Sequence, residues 1–190
     1  MEKSRKLLIV VDMQNAYTKG NPWYCPNIEV VSDNIRKIVM TGIDTVFTVF
    51  NKPCNATGTW KEYNEKYKDI NKNYPLNELI FDMGTLLTRV NVLGVFSKQQ
   101  YSSLSEPEVL EIAKEYDEII ITGVVAECCC MFTAHSAIDL GKKCIWVTDA
   151  VAGENAENEV LCQKLLRCHF PLHGKITTTK ELIKEIVTEE

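Results

Sequence analysis

The sequence lacks a long apolar run. Its longest early run, LLIVV at residues 7–11, is followed directly by an aspartate. A membrane-spanning helix needs about 20 apolar residues, and the apolar core of an export signal needs at least about 7. The sequence therefore predicts no membrane span and no export signal, and we expect a cytoplasmic protein without a membrane partner.

Positive charge is also scarce, and it is scattered along the chain. The 21 Lys and Arg residues are outnumbered by 26 Asp and Glu residues, so the net charge is -5. Binding to a nucleic-acid backbone requires a basic stripe, and binding to a nucleotide phosphate commonly uses a glycine-rich loop. The sequence contains neither pattern. It therefore predicts no nucleic-acid partner and no nucleotide cofactor.

The eight cysteines include no C-x-x-C pair, which argues against a zinc ribbon or an iron–sulfur cluster. A chain of this length buries about 70% of its unfolded surface and does not depend on covalent staples. We therefore expect reduced thiols, as in a cytoplasmic protein. These thiols include Cys54 and three contiguous residues, Cys128, Cys129 and Cys130.

Short β-branched runs alternate with amphipathic stretches along the chain. This alternation predicts an α/β protein, a three-layer α/β/α sandwich around a mainly parallel, six-stranded sheet. The runs are continuously apolar, as expected for strands that are covered on both faces. The strands are predicted at residues 7–11, 45–50, 92–96, 118–122, 144–148 and 175–177. The helices are predicted at residues 28–40, 106–116, 129–140, 157–168 and 180–187.

Several helix boundaries carry sequence signals. Asn27 precedes the first predicted helix and is its expected cap. Ser105 and Glu108 have the spacing of a capping box, with Pro107 in the first turn. Gly141 follows a predicted helix as a C-terminal stop.

The segment 51–91 separates the second and third predicted strands. It mixes Lys, Asn and Gly with aromatic residues that include Trp60, Tyr63 and Tyr67. Connections this long in compact domains are commonly functional. We expect one domain over residues 1–190, in which this irregular segment is a lid or a subunit contact.

Reactive side chains follow several predicted strands. Asp12 follows the first strand, Lys98 the third, and the cysteine-rich stretch 123–130 the fourth. Open α/β sheets bind ligands beyond the carboxyl ends of their strands, so these groups are expected at one edge. Each has an ordinary explanation, because Asp often closes a turn, Lys is often solvated and Cys is often a small buried hydrophobe. Their coincidence favours a catalytic site.

A cysteine nucleophile needs a way to lose its proton. A thiol in the first turn after the fourth strand would feel the positive end of a helix dipole, and the Lys98 ammonium would stabilise the thiolate. Asp12 would accept the proton, and backbone N–H groups of residues 123–129 would hold an oxyanion. We therefore expect an ionised thiol. Successive helical side chains point about 100° apart, so at most one of the three contiguous cysteines should face the pocket.

Three segments resemble the isochorismatase-like cysteine hydrolases, a family that includes nicotinamidases and N-carbamoyl amidases. LLIVVDMQNAY is similar to the family's opening segment, VFSKQQYSSL to its lysine segment, and ITGVVAECCCMFTAHSAIDLG to its nucleophile segment. The nucleophile segment has Gly, Cys six residues later, and Thr-Ala four residues after that. Gly123, Cys129, Thr133 and Ala134 fit this spacing, and the resemblance covers residues 6–153.

The resemblance implies a triad of Asp12, Lys98 and Cys129, with an oxyanion hole made by the N–H groups of Val125 and Cys129. It also implies a cis peptide between Val124 and Val125, a homo-oligomer, and the strand order 3-2-1-4-5-6. That order puts the lysine strand two spacings of about 4.8 Å from the aspartate strand. The long lysine side chain and the sheet twist would have to close this gap.

One departure from the family pattern concerns metal binding. Nicotinamidases carry an Asp-x-His pair after the second strand, where this chain has Asn51, Lys52 and Pro53. Its histidines all lie downstream, at positions 135, 169 and 173. We therefore expect no metal and no cofactor.

The expected activity is hydrolysis of a C–N bond in a small-molecule amide or ureido substrate through a thioester. Tyr17 and Trp60 are candidate substrate-binding residues, although either could equally serve packing. Two alternatives remain open at this point. One is an isochorismatase-type vinyl ether hydrolase, which needs no thiol, and the other is a thiol redox or binding protein on the same fold.

Overall fold

The computed structural model describes residues 4–53 and 55–189. Its strands form one six-stranded sheet in the order β3-β2-β1-β4-β5-β6, and every neighbouring pair is parallel. The expected fold class and strand order are therefore confirmed. The strands are Lys6–Val11 (β1), Thr45–Phe50 (β2), Val92–Lys98 (β3), Glu118–Val124 (β4), Lys143–Ala152 (β5) and Gly174–Thr177 (β6).

Helices cover both faces of the sheet. They are Ile28–Val39 (α1), Thr59–Lys66 (α2), Lys68–Asn71 (α3), Tyr74–Asn77 (α4), Phe81–Gly84 (α5), Pro107–Lys114 (α6), Met131–Asp139 (α7), Ala156–Arg167 (α8) and Thr179–Glu189 (α9). Helices α1 and α9 contribute to the core on one face, and α6, α7 and α8 contribute to the core on the other. Within residues 4–53 and 55–189, every helix is too short or too polar to cross a membrane.

The central strand β1 shows why the apolar runs do not alternate with polar residues. Leu8 and Val10 pack into the core under α1, whereas Leu7, Ile9 and Val11 pack into the core under α6 and α7. Successive strand residues point to opposite faces, so a strand covered on both sides must be apolar at every position.

Several predicted strands end too early. Strand β3 continues through Ser97 to Lys98, and β4 continues through Gly123 to Val124. Polar and glycine residues conceal these ends in the sequence, but Ser97 and Lys98 still pair with Val49 and Phe50 of β2. These unpredicted residues extend β3 and β4 further towards the carboxyl edge of the sheet.

The helix starts also differ from prediction. The capping box of Ser105 and Glu108 is wrong, because α6 begins at Pro107 after Glu106, and Ser102 instead accepts a hydrogen bond from Leu104 N in a 3₁₀ turn. The Asn27 side chain does not cap α1 and donates to Glu159 Oε1 at 3.3 Å. Local spacing alone does not determine these ends, since tertiary partners compete for the same side chains.

The segment 51–91 contains four short helices, α2 to α5, which together make up about half of it, where the sequence suggested irregular structure. Ile70, Ile80 and Met83 pack into the core on the α1 face. Gln14 ties the segment to the sheet, because its Nε2 donates to Phe50 O at 3.1 Å and to Asn77 O at 2.7 Å. The cysteines of the described residues are all free thiols, and Cys54 lies outside the described residues.

Candidate active site

Asp12 lies directly after β1 in a conformation that is uncommon for a residue with a side chain. Its φ angle is 49°, in the left-handed region, and it is fully buried. Its N–H donates to Thr48 O at 3.0 Å, and its Oδ1 accepts from Thr48 Oγ1 at 3.1 Å. Strained residues of this kind cluster at functional sites, where the surrounding structure holds them in place.

Gly123 lets the end of β4 approach the end of β1. Its φ angle is 106°, and a Cβ atom there would lie 2.1 Å from the backbone oxygen of Val11. No residue with a side chain fits this approach. Because Val11 immediately precedes Asp12, the contact places the cysteine-rich stretch after β4 next to the carboxylate.

That stretch begins with a cis peptide between Val124 and Val125 and continues as a π-helix, Ala126–Cys130, before α7. The Val125 carbonyl accepts from the N–H groups of both Cys128 and Cys130 at 3.1 Å. The sequence predicted an α-helix starting at residue 129, so this wider turn was missed. Single π turns inside helices are frequent at functional sites.

The three contiguous cysteines have different surroundings. Cys128 and Cys129 both border the cavity described below, which corrects the expectation that one thiol at most would face it. Cys130 is buried, with its Sγ 4.0 Å from Thr122 O. The Cys129 thiol alone among the three contacts Lys98, with 3.4 Å between Nζ and Sγ.

Lys98 joins the acid and the thiol. Its ammonium lies 2.7 Å from Asp12 Oδ2 and also donates to Gln100 O at 3.0 Å. Only 1% of Lys98 is exposed. The structure thus brings Asp12, Lys98 and Cys129 together in one buried cluster.

The charges of this cluster differ from the sequence-based expectation. Burial raises the pKa of the Cys129 thiol, the Asp12 carboxylate raises it further, and the Lys98 ammonium opposes both. For Lys98, burial lowers the pKa, but the interactions with Asp12 and then with Cys129 outweigh burial and leave the pKa above its ordinary value. The expectation of an ionised resting thiol is therefore wrong. The raised pKa of Cys129 instead favours a neutral thiol beside the Lys98–Asp12 ion pair.

A chain of hydrogen bonds through buried hydroxyl groups links Asp12 to Cys129. Thr48 Oγ1, which donates a hydrogen bond to Asp12 Oδ1, lies 3.1 Å from Ser103 Oγ. The Ser103 N–H donates to Thr133 Oγ1 at 2.9 Å, and Thr133 Oγ1 donates to Cys129 O at 2.7 Å. The sequence reasoning noticed only Thr133. The available signal for Thr48 was its hydroxyl in the middle of the strand TVFTVF, where the only other hydroxyl is that of Thr45 at the strand's start.

A cavity of about 440 Å³ borders the cluster. This volume lies within the usual range for small-molecule sites. Half of the residues that line it are aromatic, and these are Tyr17, Trp23, Tyr24, Phe50, Tyr63, Tyr67 and Tyr101. Tyr17 therefore borders the cavity as expected. Trp60 does not, because it packs behind the wall at 5.2 Å from the Tyr63 and Tyr101 rings.

The position of a nicotinamidase-type metal pair is occupied by other contacts. Asn51 Nδ2 donates to Ser97 Oγ at 2.7 Å after β2. Within the part of the chain that the structure describes, no three His, Cys, Asp or Glu side chains are grouped so that they could hold a metal ion.

Comparisons with known proteins define the class. The family model of the isochorismatase domain matches residues 6–181. An isochorismatase from Bacillus subtilis (strain 168) is 28% identical over 177 residues, which cover 89% of this chain and 55% of that protein. The chain thus spans about half the length of this curated relative. The chain belongs to the isochorismatase-like hydrolase family.

Solved structures agree on the fold. A cysteine hydrolase from Pseudomonas syringae pv. phaseolicola superimposes with a TM-score of 0.79 and 20% identity, covering 98% of this chain and 94% of that one. A nicotinamidase/pyrazinamidase from Bacillus subtilis superimposes with a TM-score of 0.73 and 18% identity, covering 91% and 99%. At these identities the similarity establishes the fold alone.

Proposed function

We propose that the protein is a metal-independent cysteine hydrolase that cleaves a C–N bond of a small amide or ureido substrate. The observation that carries the proposal is the position of Lys98 Nζ, 2.7 Å from Asp12 Oδ2 and 3.4 Å from Cys129 Sγ, beside an aromatic cavity. A thiol, a carboxylate and an ammonium in contact are the groups that nucleophilic attack and proton transfer require.

The first step forms a thioester. Asp12 takes the thiol proton while Cys129 Sγ attacks the substrate carbonyl carbon, and the C=O electron pair moves to oxygen. The N–H groups of Val125 and Cys129 hold the oxyanion. When the oxyanion collapses, the C–N bond breaks, and Asp12 returns the proton to the leaving nitrogen.

The second step hydrolyses the thioester. Asp12 takes a proton from water, the hydroxide oxygen attacks the thioester carbon, and the C–S bond breaks. The proton returns to Cys129, and the acid product leaves. Lys98 stays positively charged throughout and balances the negative charge that moves between Asp12 and Cys129.

The raised pKa of Cys129 fits this use of Asp12. A neutral thiol in a buried site needs a base in contact with it, and general-base transfer avoids a free buried thiolate. The same carboxylate is then available as the acid for the leaving group. Asp12 is therefore assigned the role of a proton shuttle, and Lys98 the role of keeping its carboxylate charged and oriented.

The segment 51–91 supports a further part of the proposal. Tyr63 and Tyr67 from this segment form part of the cavity wall, and Gln14 anchors the segment beside β2. We propose that the segment serves as a lid that shapes substrate choice within one domain.

The test is ammonia release from a panel of primary amides, N-carbamoyl compounds and ureides. Wild-type protein should hydrolyse at least one class, Cys129→Ala should lose that turnover while keeping its circular dichroism, and Cys128→Ala should retain it. Cys128 is the matched control because it borders the same cavity without contacting Lys98. Equal turnover by wild type and Cys129→Ala would overturn the proposal.

The similarity to a curated isochorismatase favours a second candidate, hydrolysis of a vinyl ether. This reaction does not use a thiol nucleophile. Turnover of a vinyl ether that survives Cys129→Ala, together with an inactive amide panel, would support the second candidate over the first.

A further inference from the structure

Two carboxylates, Glu127 and Glu154, border the cavity beside Cys129, whereas Lys98 is not among the lining residues. Glu127 precedes the thiol on the π-helix, and Glu154 follows β5, whereas Lys98 ends β3. Because β4 lies between β3 and β5 in the sheet order, Lys98 and Glu154 come from strands on opposite sides of β4. The cavity therefore has a reactive side and an acidic side.

Glu127 is held towards the acidic side by hydrogen bonds to one of its two oxygens. Its Oε1 accepts from Glu154 N at 3.1 Å and from Asn158 Nδ2 at 2.6 Å. Its Oε2 is buried and has no hydrogen-bond partner among the described residues. A Cβ atom on Gly153 would lie 2.7 Å from this oxygen, so the backbone passes close beside it.

The negative charge on this side is not neutralised by the protein. No Lys or Arg occurs among the described residues that border the cavity, and neither glutamate forms a salt bridge within residues 4–53 and 55–189. The field reaches neighbouring thiols. Burial, followed by the Glu127 charge, raises the pKa of both Cys25 and Cys128, which also border the cavity.

The aromatic rings that line the cavity also favour a positively charged group. The Trp23 and Tyr67 rings lie 5.5 Å apart in an edge-on arrangement, and the Tyr63 and Tyr67 rings lie 4.7 Å apart. The face of an aromatic ring attracts a cation, most strongly when that cation leaves water. A carboxylate on the substrate would gain no such contact and would be repelled by Glu127 and Glu154.

We propose that the substrate is a small amide or ureido compound that carries an ammonium or guanidinium group away from its scissile carbonyl. Glu154, Glu127 and the Trp23 ring select this positive group. The inference rests on the proposed function, since it assumes that the carbonyl is presented to Cys129.

The test compares amides that differ in one terminal group. 4-Aminobutanamide carries an ammonium, pentanamide is its neutral isostere, and succinamic acid carries a carboxylate, with 6-aminohexanamide and heptanamide as a longer pair. Wild-type kcat/KM should be about tenfold or more higher for an ammonium amide than for its isostere, and lowest for succinamic acid.

Glu154→Gln should reduce this preference several-fold, mainly through a higher KM for the ammonium amide. Glu157→Gln is the matched control, because it removes the same charge from an exposed position on α8 that does not border the cavity. An unchanged preference in Glu154→Gln, or faster hydrolysis of a neutral or anionic amide by wild type, would overturn the inference.

Binding to Cys129→Ala, measured by calorimetry, separates the two proposals. If wild type hydrolyses no amide but the variant binds an ammonium amide more tightly than its isostere, the proposed reaction fails and the charge preference stands. If wild type hydrolyses pentanamide as fast as 4-aminobutanamide and the variant binds both equally, the reaction stands and the charge preference fails. Absence of binding by every ammonium amide also overturns the inference.

Discussion

Lys98 Nζ contacts Asp12 Oδ2 at 2.7 Å although the strand β2 lies between the strands that carry them. Phe50, the last residue of β2, explains how the gap is closed. The Lys98 ammonium lies over the Phe50 ring, 5.2 Å from its centroid, so the side chain crosses β2 above this ring to reach Asp12. The aromatic ring also partly offsets the cost of burying the charge along this path.

Replacing the carboxylate should separate thiol reactivity from turnover. In Asp12→Asn the base is lost, so we expect turnover to fall by about 10²- to 10⁴-fold. The same change removes the negative charge that raises the pKa of Cys129, so iodoacetamide should alkylate this thiol faster at pH 7. Peptide mass spectrometry and ammonia release measure the two effects. Asp33→Asn, on the exposed face of α1, should change neither, and a parallel fall of both rates in Asp12→Asn would contradict the assigned role.

Removing the ammonium should affect both stability and activity. In Lys98→Met, Asp12 remains buried without its ion-pair partner, and breaking a buried pair in this way costs about 3–5 kcal/mol of unfolding free energy. We expect this loss in urea denaturation at pH 7, together with loss of turnover. Lys143→Met, at an exposed position on β5, should retain wild-type stability. Wild-type stability of Lys98→Met would contradict a stabilising ion pair between Lys98 and Asp12.

The hydroxyl chain should act by positioning Asp12. Thr48→Val keeps the shape of the side chain but removes the hydrogen bond to Asp12 Oδ1 and the contact with Ser103. We expect kcat to fall about tenfold with KM nearly unchanged, and stability to fall by about 1–3 kcal/mol. Thr48→Ser restores a hydroxyl and should recover most of kcat. If the serine variant is as impaired as the valine variant, the hydroxyl is not the group that matters.

The neutral resting thiol predicts a specific pH dependence of stability. The Cys129 pKa in the folded protein is above its ordinary 9.0, so the folded protein keeps a proton that the unfolded chain releases. This contribution is fully present below pH 9 and is lost as pH rises towards the folded pKa, by up to about 1.4 kcal/mol per pH unit. Urea denaturation at pH 7.5 and 10 should therefore show a smaller alkaline loss in Cys129→Ala than in wild type. An equal loss in both proteins would indicate a thiol that is already ionised in the folded state.

The sequence predicts the sheet well because its signals are local and repeated. Residues 45–50 form β2 as predicted, since every position of a covered strand must be apolar or β-branched. The cluster of Asp12, Lys98 and the cysteines is also predictable, because parallel strands deliver their carboxyl ends to one edge. The particular thiol required a resemblance to a known family, since spacing did not distinguish Cys129 from its neighbours.

Other features depend on contacts that the sequence does not display. Gln14 donates to Phe50 O, 36 residues away, and to Asn77 O, 63 residues away, and no local pattern predicts such bonds. The π turn at Ala126–Cys130 places two thiols at the cavity where α-helical spacing expected one. The direction of the Cys129 pKa follows from the balance of burial, Asp12 and Lys98, which requires the positions of all three residues in space.

The central claim is that Cys129 carries the substrate as a thioester during turnover. In the most direct measurement, wild-type protein is quenched with acid while it hydrolyses the best amide of the panel. Peptide mass spectrometry then identifies the residue that carries the covalently bound acyl group. We predict the acyl mass on the peptide at Cys129, with none at Cys128 or Cys130. An acyl mass on another residue, or continued turnover by Cys129→Ala with no bound mass, would contradict the claim.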